Sequence, residues 1–419
     1  MIKKIVTDIR KKMFFKELCV DLAIDYIEEN NIINIYPEII CQDWLGLGGA
    51  LTGSTVYNFN KLNNEQRDAL LHNYFNELNY SYLRIPVGST DFSLKSEDDY
   101  TFSFGENVKI IKQIIAKYSI EIIATPWSPP SKFKDNNSLY GGKLLRNKYD
   151  DYANYLCNCI KDYNFSDVII NYLSVQNEPL ANQVWESCYF EIQEYKEFIY
   201  KFLIPKLNYT KLILWDHNKE NLYNVFNELY EKNSAIVGIG FHWYTGGFYN
   251  ELKLLKENYP NMLLFETEMC CGFSKYNRIK WIIDAENYLN EIIKGINNGL
   301  NVFLDWNMLL NYKGGPNHKR NYCKSPIILN KKENDFIKTP IFYYLKHIGI
   351  AGKAKVIYNS TYDRNDELQV VGLKNDKVYI TILNKSNKIK DLNIKIKNQL
   401  IRDKINKRSI ITYVLDYCW

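Results

Sequence analysis

Two stretches of the chain share one pattern: an apolar run that stops at acid. In the first, Leu173 and Val175 alternate with polar neighbours and lead into Gln176-Asn177-Glu178-Pro179. Alternation with period two predicts a strand, and the proline predicts that the chain leaves the sheet there. In the second, Met262-Leu263-Leu264-Phe265 runs into Glu266-Thr267-Glu268-Met269-Cys270. Both patterns place carboxylates at strand ends. By strict alternation Glu266 and Glu268 share one face of their strand.

The same alternation of strand-like and helix-like periods extends over most of the chain. Leu62–Leu78, Asn107–Tyr118, Tyr149–Tyr163, Glu191–Leu203 and Trp281–Asn298 carry helical spacing. Between them lie the strand-like runs Tyr82–Pro86, Glu121–Trp127, Val168–Val175, Leu212–His217, Ile236–Tyr244 and Val302–Asn307. Repeated strand–helix alternation predicts an α/β fold with a parallel sheet. Polar or aromatic residues close many of the strands, which favours a (β/α)8 barrel, whose active site sits at the C-terminal ends of its strands. After about residue 345 the helical spacing stops. Val356–Tyr358, Leu368–Gly372, Val378–Leu383, Leu392–Ile396 and Ile410–Val414 read as closely spaced strands of a small β-sandwich. We therefore expect residues 1–42 as a flank contributing to the β-domain, 43–347 as the catalytic barrel and 348–419 as the C-terminal part of the β-sandwich. Gly46-Leu47-Gly48-Gly49 is glycine-rich but lacks the Lys-Ser/Thr of a phosphate-binding loop, so a tight turn into the barrel is expected.

Composition changes this picture little. The 419 residues suit a barrel of about 250 residues with a smaller partner. A net charge of +5, from 53 basic and 48 acidic residues, does not argue for a nucleic-acid partner. Nine cysteines without regular spacing suggest neither a secreted disulfide framework nor a zinc site, so a reduced, cytoplasmic protein is expected. Lys16, Glu17, Asp21 and Asp25 interrupt the only candidate leader, so no signal peptide is expected. No apolar run reaches the roughly 18 residues of a membrane span, so stable membrane insertion is not expected.

Two strand-end carboxylates far apart in sequence fit glycoside hydrolysis, in which one carboxyl protonates the leaving oxygen and the other attacks or activates water. Structural ion pairs would produce the same pattern. An ordered set of blocks decides between them. Gly46–Thr52, Arg84-Ile85-Pro86-Val87-Gly88-Ser89-Thr90-Asp91-Phe92-Ser93, Pro126-Trp127-Ser128-Pro129-Pro130, Val175–Pro179, Gly240-Phe241-His242-Trp243-Tyr244, Asp305-Trp306-Asn307, Gly314–Asn317 and Ser325–Ile328 together resemble glycoside hydrolase family 30, which includes the glucosylceramidases. The resemblance runs from about Gln42 to His347 and implies a TIM barrel with an attached β-sandwich. It assigns the general acid/base to Glu178 and the nucleophile to Glu268, leaving Glu266 a structural neighbour. It also implies that Asp91, Trp127, Asn177, His242, Tyr244, Trp306 and Asn321 bind substrate and that Arg84 supports them, with Arg84, His242 and Tyr244 contacting or tuning the carboxylates.

The implied reaction is retaining hydrolysis of a terminal β-glucoside without metal or cofactor. Carboxyls about 5 Å apart, on the fourth and seventh strands, and a raised pKa on Glu178 are expected. Other implied possibilities are a β-xylosidase, a glucuronoxylanase or an endo-β-1,6-glucanase. A carbohydrate-binding protein without catalysis is disfavoured, because such a protein has no physical reason to keep two like charges facing one site. Gly53, Lys132 and Leu47 depart from the family pattern and bear on the mouth and aglycone side. The oligomeric state is not legible.

Overall fold

The computed structural model describes residues 2–24, 31–88, 90, 92–93, 98, 100–363 and 366–416. Four N-terminal strands come first: β1 (Ile2–Asp8), β2 (Met13–Val20), β3 (Ala23–Ile24) and β4 (Ile32–Trp44). Eight strands follow: β5 (Gly46–Ala50), β6 (Tyr80–Val87), β7 (Glu121–Pro126), β8 (Tyr172–Ser174), β9 (Lys211–Asn218), β10 (Ile236–His242), β11 (Leu263–Met269) and β12 (Val302–Asp305). They pair in parallel in that order, and β12 returns to β5 to close a barrel. The short β13 (Leu309–Leu310), β14 (Ile327–Leu329) and β15 (Phe336–Lys338) form a separate three-stranded sheet. Six strands complete the chain: β16 (Ala354–Thr361), β17 (Leu368–Lys374), β18 (Lys377–Asn384), β19 (Lys390–Ile396), β20 (Gln399–Ile405) and β21 (Ser409–Asp416).

The barrel is filled in layers. Tyr82, Ile123, Ile213, Phe265, Val302 and Leu304 form an apolar plug inside it. Helices cover its outside because their apolar residues recur every three to four positions. In Tyr149–Phe165, for example, Tyr149, Tyr152, Ala153, Leu156, Ile160 and Tyr163 are buried, while Asp150 and Asp151 occupy the first turn, where the helix dipole favours negative charge.

The glycine-rich segment is β5 itself rather than a turn. A Cβ at Gly48 would lie 2.5 Å from the Tyr82 carbonyl oxygen, so glycine lets β5 and β6 approach closely. β4 runs through Pro37 to Trp44, with register shifts against β16 near Ile357 that absorb the irregularity.

The flanks build one ten-stranded sheet, ordered β2-β1-β21-β18-β17-β16-β4-β19-β20-β3. It folds back on itself as a sandwich: Tyr413 on β21 donates to Asp403 on β20, although the two strands are not neighbours in the sheet. Ile2, Ile33, Val370, Ile380, Ile394, Ile401 and Tyr413 belong to the apolar core between its halves. The helix Pro340–Gly349 joins barrel to sandwich. Its His347 is fully buried between Thr7 on β1 and Thr412 on β21, with ring nitrogens 2.9 and 2.8 Å from their hydroxyls. Among the described residues no helix is long and apolar enough to cross a membrane.

Candidate active site

Above the apolar plug, the inward positions of the barrel turn polar. Arg84 sits two residues beyond Tyr82 on β6 and is fully buried. Its Nε donates to Thr125 Oγ1 (3.2 Å), Nη1 to Glu268 Oε2 (2.7 Å), and Nη2 to Asn177 Oδ1 (2.8 Å) and Asp216 Oδ2 (2.9 Å). One guanidinium thus ties four strand ends together, a use of its fixed donor fork that a lysine could not reproduce.

Asp216 is the centre of this layer, and sequence reasoning gave it no role. Beside Arg84, it accepts from the hydroxyls of Ser174 and Thr267 and faces His242 Nε2 at 3.0 Å. Burial pushes its carboxyl upward, but Arg84 and His242, with the Ser174 bond, outweigh that and hold it well below the usual carboxylate range. Strand alternation would have turned Asp216 outward. Trp215 and Asp216 both have positive φ (73° and 68°), and the pairing of β9 with β10 slips at this point. This bulge sends Trp215 to the helix side and Asp216 into the barrel. The available signal was the one used for Glu178 and Glu268: an apolar run, Leu212–Trp215, ending in acid.

A second irregularity separates Glu266 from Glu268. On β10, Phe241 pairs with Glu266 but His242 pairs with Glu268, skipping a residue. The two glutamates therefore do not share a face, contrary to the expectation from alternation. Glu268 turns into the barrel mouth, where it meets Arg84 and accepts from the Tyr244 hydroxyl at 2.9 Å. Glu266 lies fully buried behind the strand with neither oxygen hydrogen-bonded. Burial, and then repulsion from Glu291, push its carboxyl far above the usual range, which favours its neutral form.

Glu178 follows β8 with φ of 46°, a left-handed conformation unusual for a non-glycine residue. Its backbone N–H is held by the Asp216 carbonyl at 2.8 Å, and the Asn177 N–H by the Pro126 carbonyl at 2.9 Å. Its Oε1 lies 3.2 Å from His242 Nδ1. One oxygen of Glu178, one of Glu268 and a nitrogen of His242 all lie within 4.8 Å of one another.

His242, with Glu178 on one ring nitrogen and Asp216 on the other, is fully buried beneath the carboxylates and does not line the cavity. Burial works against its charge, but Glu268, Asp216 and Glu178 outweigh burial and push its pKa up to about 10. The resulting imidazolium acts back on Glu178. Burial raises that carboxyl, yet the His242 hydrogen bond and charge leave it below its ordinary value. The raised pKa expected for Glu178 is therefore not a property of the ligand-free site.

A cavity of about 500 Å³ opens above the pair, lined by Trp127, Asn177, Glu178, Trp185, Tyr244, Glu268, Trp306 and Asn321 among others. Trp127 and Trp306 meet at 5.2 Å between ring centroids, and the Arg84 guanidinium lies 4.6 Å from the centre of the Trp127 ring. Asn321 is exposed at the rim. Asp91 lies outside the described residues. Gln183, Asn218, Trp243, Cys270, Gly272 and Cys323 complete the wall without having been singled out for it. Glu178, His242 and Glu268 also have ligand-like spacing for a cation. However, Arg84 and the His242 imidazolium already supply the positive charge those carboxylates require, so the donor set suits acid–base chemistry better than a metal.

The family model for the glycosyl hydrolase family 30 TIM-barrel domain matches residues 45–350. The chain belongs to glycosyl hydrolase family 30. Its relatives include "Putative glucosylceramidase 3" of Caenorhabditis elegans, 31% identical over an alignment of 347 positions that covers 73% of this chain and 66% of the relative. "Lysosomal acid glucosylceramidase" of Mus musculus is 27% identical over an alignment of 372 positions that covers 78% of this chain and 72% of the relative. Among solved structures, SrfJ from Salmonella typhimurium superposes with a TM-score of 0.91 at 26% identity, over 99% of each chain. The endo-β1,6-glucanase BT3312 superposes with a TM-score of 0.85 at 25% identity, also over 99% of each.

Proposed function

We propose that this family 30 protein is a retaining β-glycosidase, glucosylceramidase-like, that hydrolyses terminal β-glucosides through a glycosyl-enzyme intermediate. The observation that carries the reading is the closeness of the two carboxylates. Retaining enzymes hold their carboxyls about 5–5.5 Å apart, whereas inverting enzymes leave room for a water at roughly 6.5–9.5 Å. Oxygens of Glu178 and Glu268 within 4.8 Å of each other support the first class.

In this mechanism Glu268 attacks the anomeric carbon while Glu178 protonates the departing oxygen; Glu178 then takes a proton from the water that releases the sugar. Arg84 and Tyr244 orient Glu268, one on each oxygen. Arg84 holds Asn177 Oδ1, which leaves the amide NH2 as the end that meets the sugar 2-hydroxyl. Trp127 and Trp306 supply the ring faces on the floor. Entry of a sugar displaces water from Glu178, and this desolvation works with burial to raise its pKa against His242.

The test is a panel of nitrophenyl β-glycosides together with a 2-deoxy-2-fluoro glucoside that traps the intermediate. We expect the glucoside to be preferred over the xyloside, because a pocket that hydrogen-bonds the hydroxymethyl group penalises its loss. We expect the trapped sugar on Glu268. Label on another residue, or a product of inverted configuration, would overturn the mechanism. The likeness to an endo-β1,6-glucanase over 99% of both chains supports a second reading, endo-action on a β-1,6-glucan. Release of gentiobiose-like products without turnover of simple glucosides would favour it.

A further inference from the structure

Cys270 and Cys323 stand in the cavity wall with their sulfurs 3.2 Å apart. Both residues line the cavity and are 8% and 6% exposed. The proposed hydrolysis uses neither. Two backbone bonds hold their segments side by side: Phe273 N–H to the Tyr322 carbonyl and Lys324 N–H to the Cys271 carbonyl, each 2.9 Å. Cys270 is also tied to the reacting group. It lies two residues beyond Glu268, and its sulfur is 3.4 Å from the same Tyr244 hydroxyl that donates to Glu268. Its carbonyl accepts from the indole N–H of Trp243 at 3.1 Å.

We propose that Cys270 and Cys323 are a reversible dithiol–disulfide site in the wall of the sugar cavity, with a low-molecular-weight disulfide as its oxidant, and that closing it slows turnover. The effect on turnover rests on the glycosidase reading; formation of the bond does not. In the first step one cysteine thiolate attacks the small disulfide, forming a mixed disulfide and releasing one small thiol. The second cysteine then attacks that mixed disulfide, forming the Cys270–Cys323 bond and releasing the other small thiol. Two electrons pass from the protein to the oxidant, and the two cysteine protons end on the released thiols. A disulfide is about 2.05 Å long, so the sulfurs must close by roughly 1 Å, within reach of side-chain rotation and a small backbone shift. That movement draws Cys270 away from Tyr244 and pulls on the strand end that carries Glu268. Displacements of about 1 Å at a catalytic group cost on the order of 100-fold in rate. The hydrogen bond to Cys323, and then burial, push the Cys270 thiol well above its ordinary value, so its attack is slow at neutral pH and closure is faster at alkaline pH.

The experiment incubates the reduced 419-residue chain with oxidised glutathione, alkylates the remaining thiols and maps the products by mass spectrometry. A Cys271→Ser protein run in parallel removes the ambiguity of the adjacent cysteine. We expect a Cys270–Cys323 link, a fall in kcat/KM of tenfold or more, and recovery of both on adding dithiothreitol. In Cys323→Val the ratio of kcat/KM before and after oxidation should be close to one, whatever its starting value. Failure to link the two residues, a link that leaves kcat/KM unchanged, or equal oxidative loss in Cys323→Val would each overturn the proposal. If neither redox form hydrolyses any glycoside, the glycosidase reading fails. The bond is then judged by the linked peptide and by a reversible change in tryptophan emission, since the Trp243 indole donates to the Cys270 carbonyl; absence of either overturns it.

Discussion

Replacing His242 by Asn removes the positive charge that faces Glu178 and should move the alkaline limb of the pH profile upward. The charges stand 3.2 Å apart, and at an effective dielectric of about 20 such a pair interacts by roughly 5 kcal/mol. That figure is a ceiling, because the variant also admits water to the vacated space. One opposite charge at this range typically lowers a carboxyl by about 1–3 units, or about 1.4–4 kcal/mol. The sign follows from which form is active. Glu178 must be protonated to protonate the leaving oxygen, and that form is lost as pH rises through its pKa. His242 is charged below about 10, so it depresses Glu178 throughout the acid and neutral range. Without it the acid form persists to higher pH. We expect the alkaline limb of kcat/KM on a nitrophenyl β-glucoside to rise by about 1–2 pH units. Asp216 keeps Arg84, Ser174 and Thr267 as partners, so the variant should fold, and a thermal melt checks this. A limb that stayed in place or moved to lower pH in a folded variant would refute the reasoning: either Glu178 is not the acid, or His242 is not charged beside it.

Further predictions follow from the same network. Glu268→Gln should abolish turnover, while Glu266→Gln, which exchanges one neutral buried group for another, should keep kcat within a few-fold; the reverse pattern in a steady-state assay would show the nucleophile to be misassigned. Burial lowers His347 to about 3, so below its unfolded value of about 6.5 only the unfolded chain gains its proton. The stability it confers is present above about 6.5 and falls by about 1.4 kcal/mol per pH unit between there and about 3. Urea unfolding of His347→Gln should lack that part of the pH slope, and an unchanged slope would remove His347 as the cause. Deleting residues 350–419 strips β16–β21 from β1 and β4 and uncovers the helix Pro340–Gly349, so the barrel should become insoluble; a soluble, fully active truncation would contradict this.

The barrel was legible because its driving pattern is regular. Strand runs such as Glu121–Trp127 and helices such as Tyr149–Tyr163 bury one stripe each, and the period of that stripe survives in the sequence. What escaped has a physical reason in each case. β5 is almost all glycine and small side chains, so it carries no apolar alternation; its role is a close approach to β6 that only the fold reveals. β8 is shorter than its apolar run, since Val168 and Ile170 are buried before the strand begins. β1 and β2 mix charged with apolar positions because much of β2 lies open to solvent, and the other partner of β1, β21, is almost the whole chain away. β20 was missed because Arg402, Asp403 and Lys404 mask its apolar ends.

The site was legible by its acids and illegible in their aim. Periodicity located the strand ends that carry Glu178 and Glu268 but gave Asp216, within the Leu212–His217 run, no role, and alternation pointed Glu266 the same way as Glu268. The three carboxylates at the mouth stand where the backbone departs from a regular strand: a skipped residue before Glu268, a positive-φ pair at Asp216 and a left-handed residue at Glu178. A regular strand offers every second side chain to the interior, with strand-to-strand spacing fixed by the ladder. Bringing three carboxylates around one imidazole and one guanidinium needs closer convergence than that ladder provides, so register is broken where the charges must meet. The like charges are tolerable together only because Arg84 and His242 lie between them, buried with them in the same layer. The cations therefore have to be in place before the bulges can hold, and Arg84→Lys should disturb Asp216, Asn177 and Glu268 together. A nitrophenyl glucoside assay should show kcat falling in that variant on the order of 100-fold or more. A variant with near-normal kcat would mean that the bulges hold the acids without the guanidinium fork.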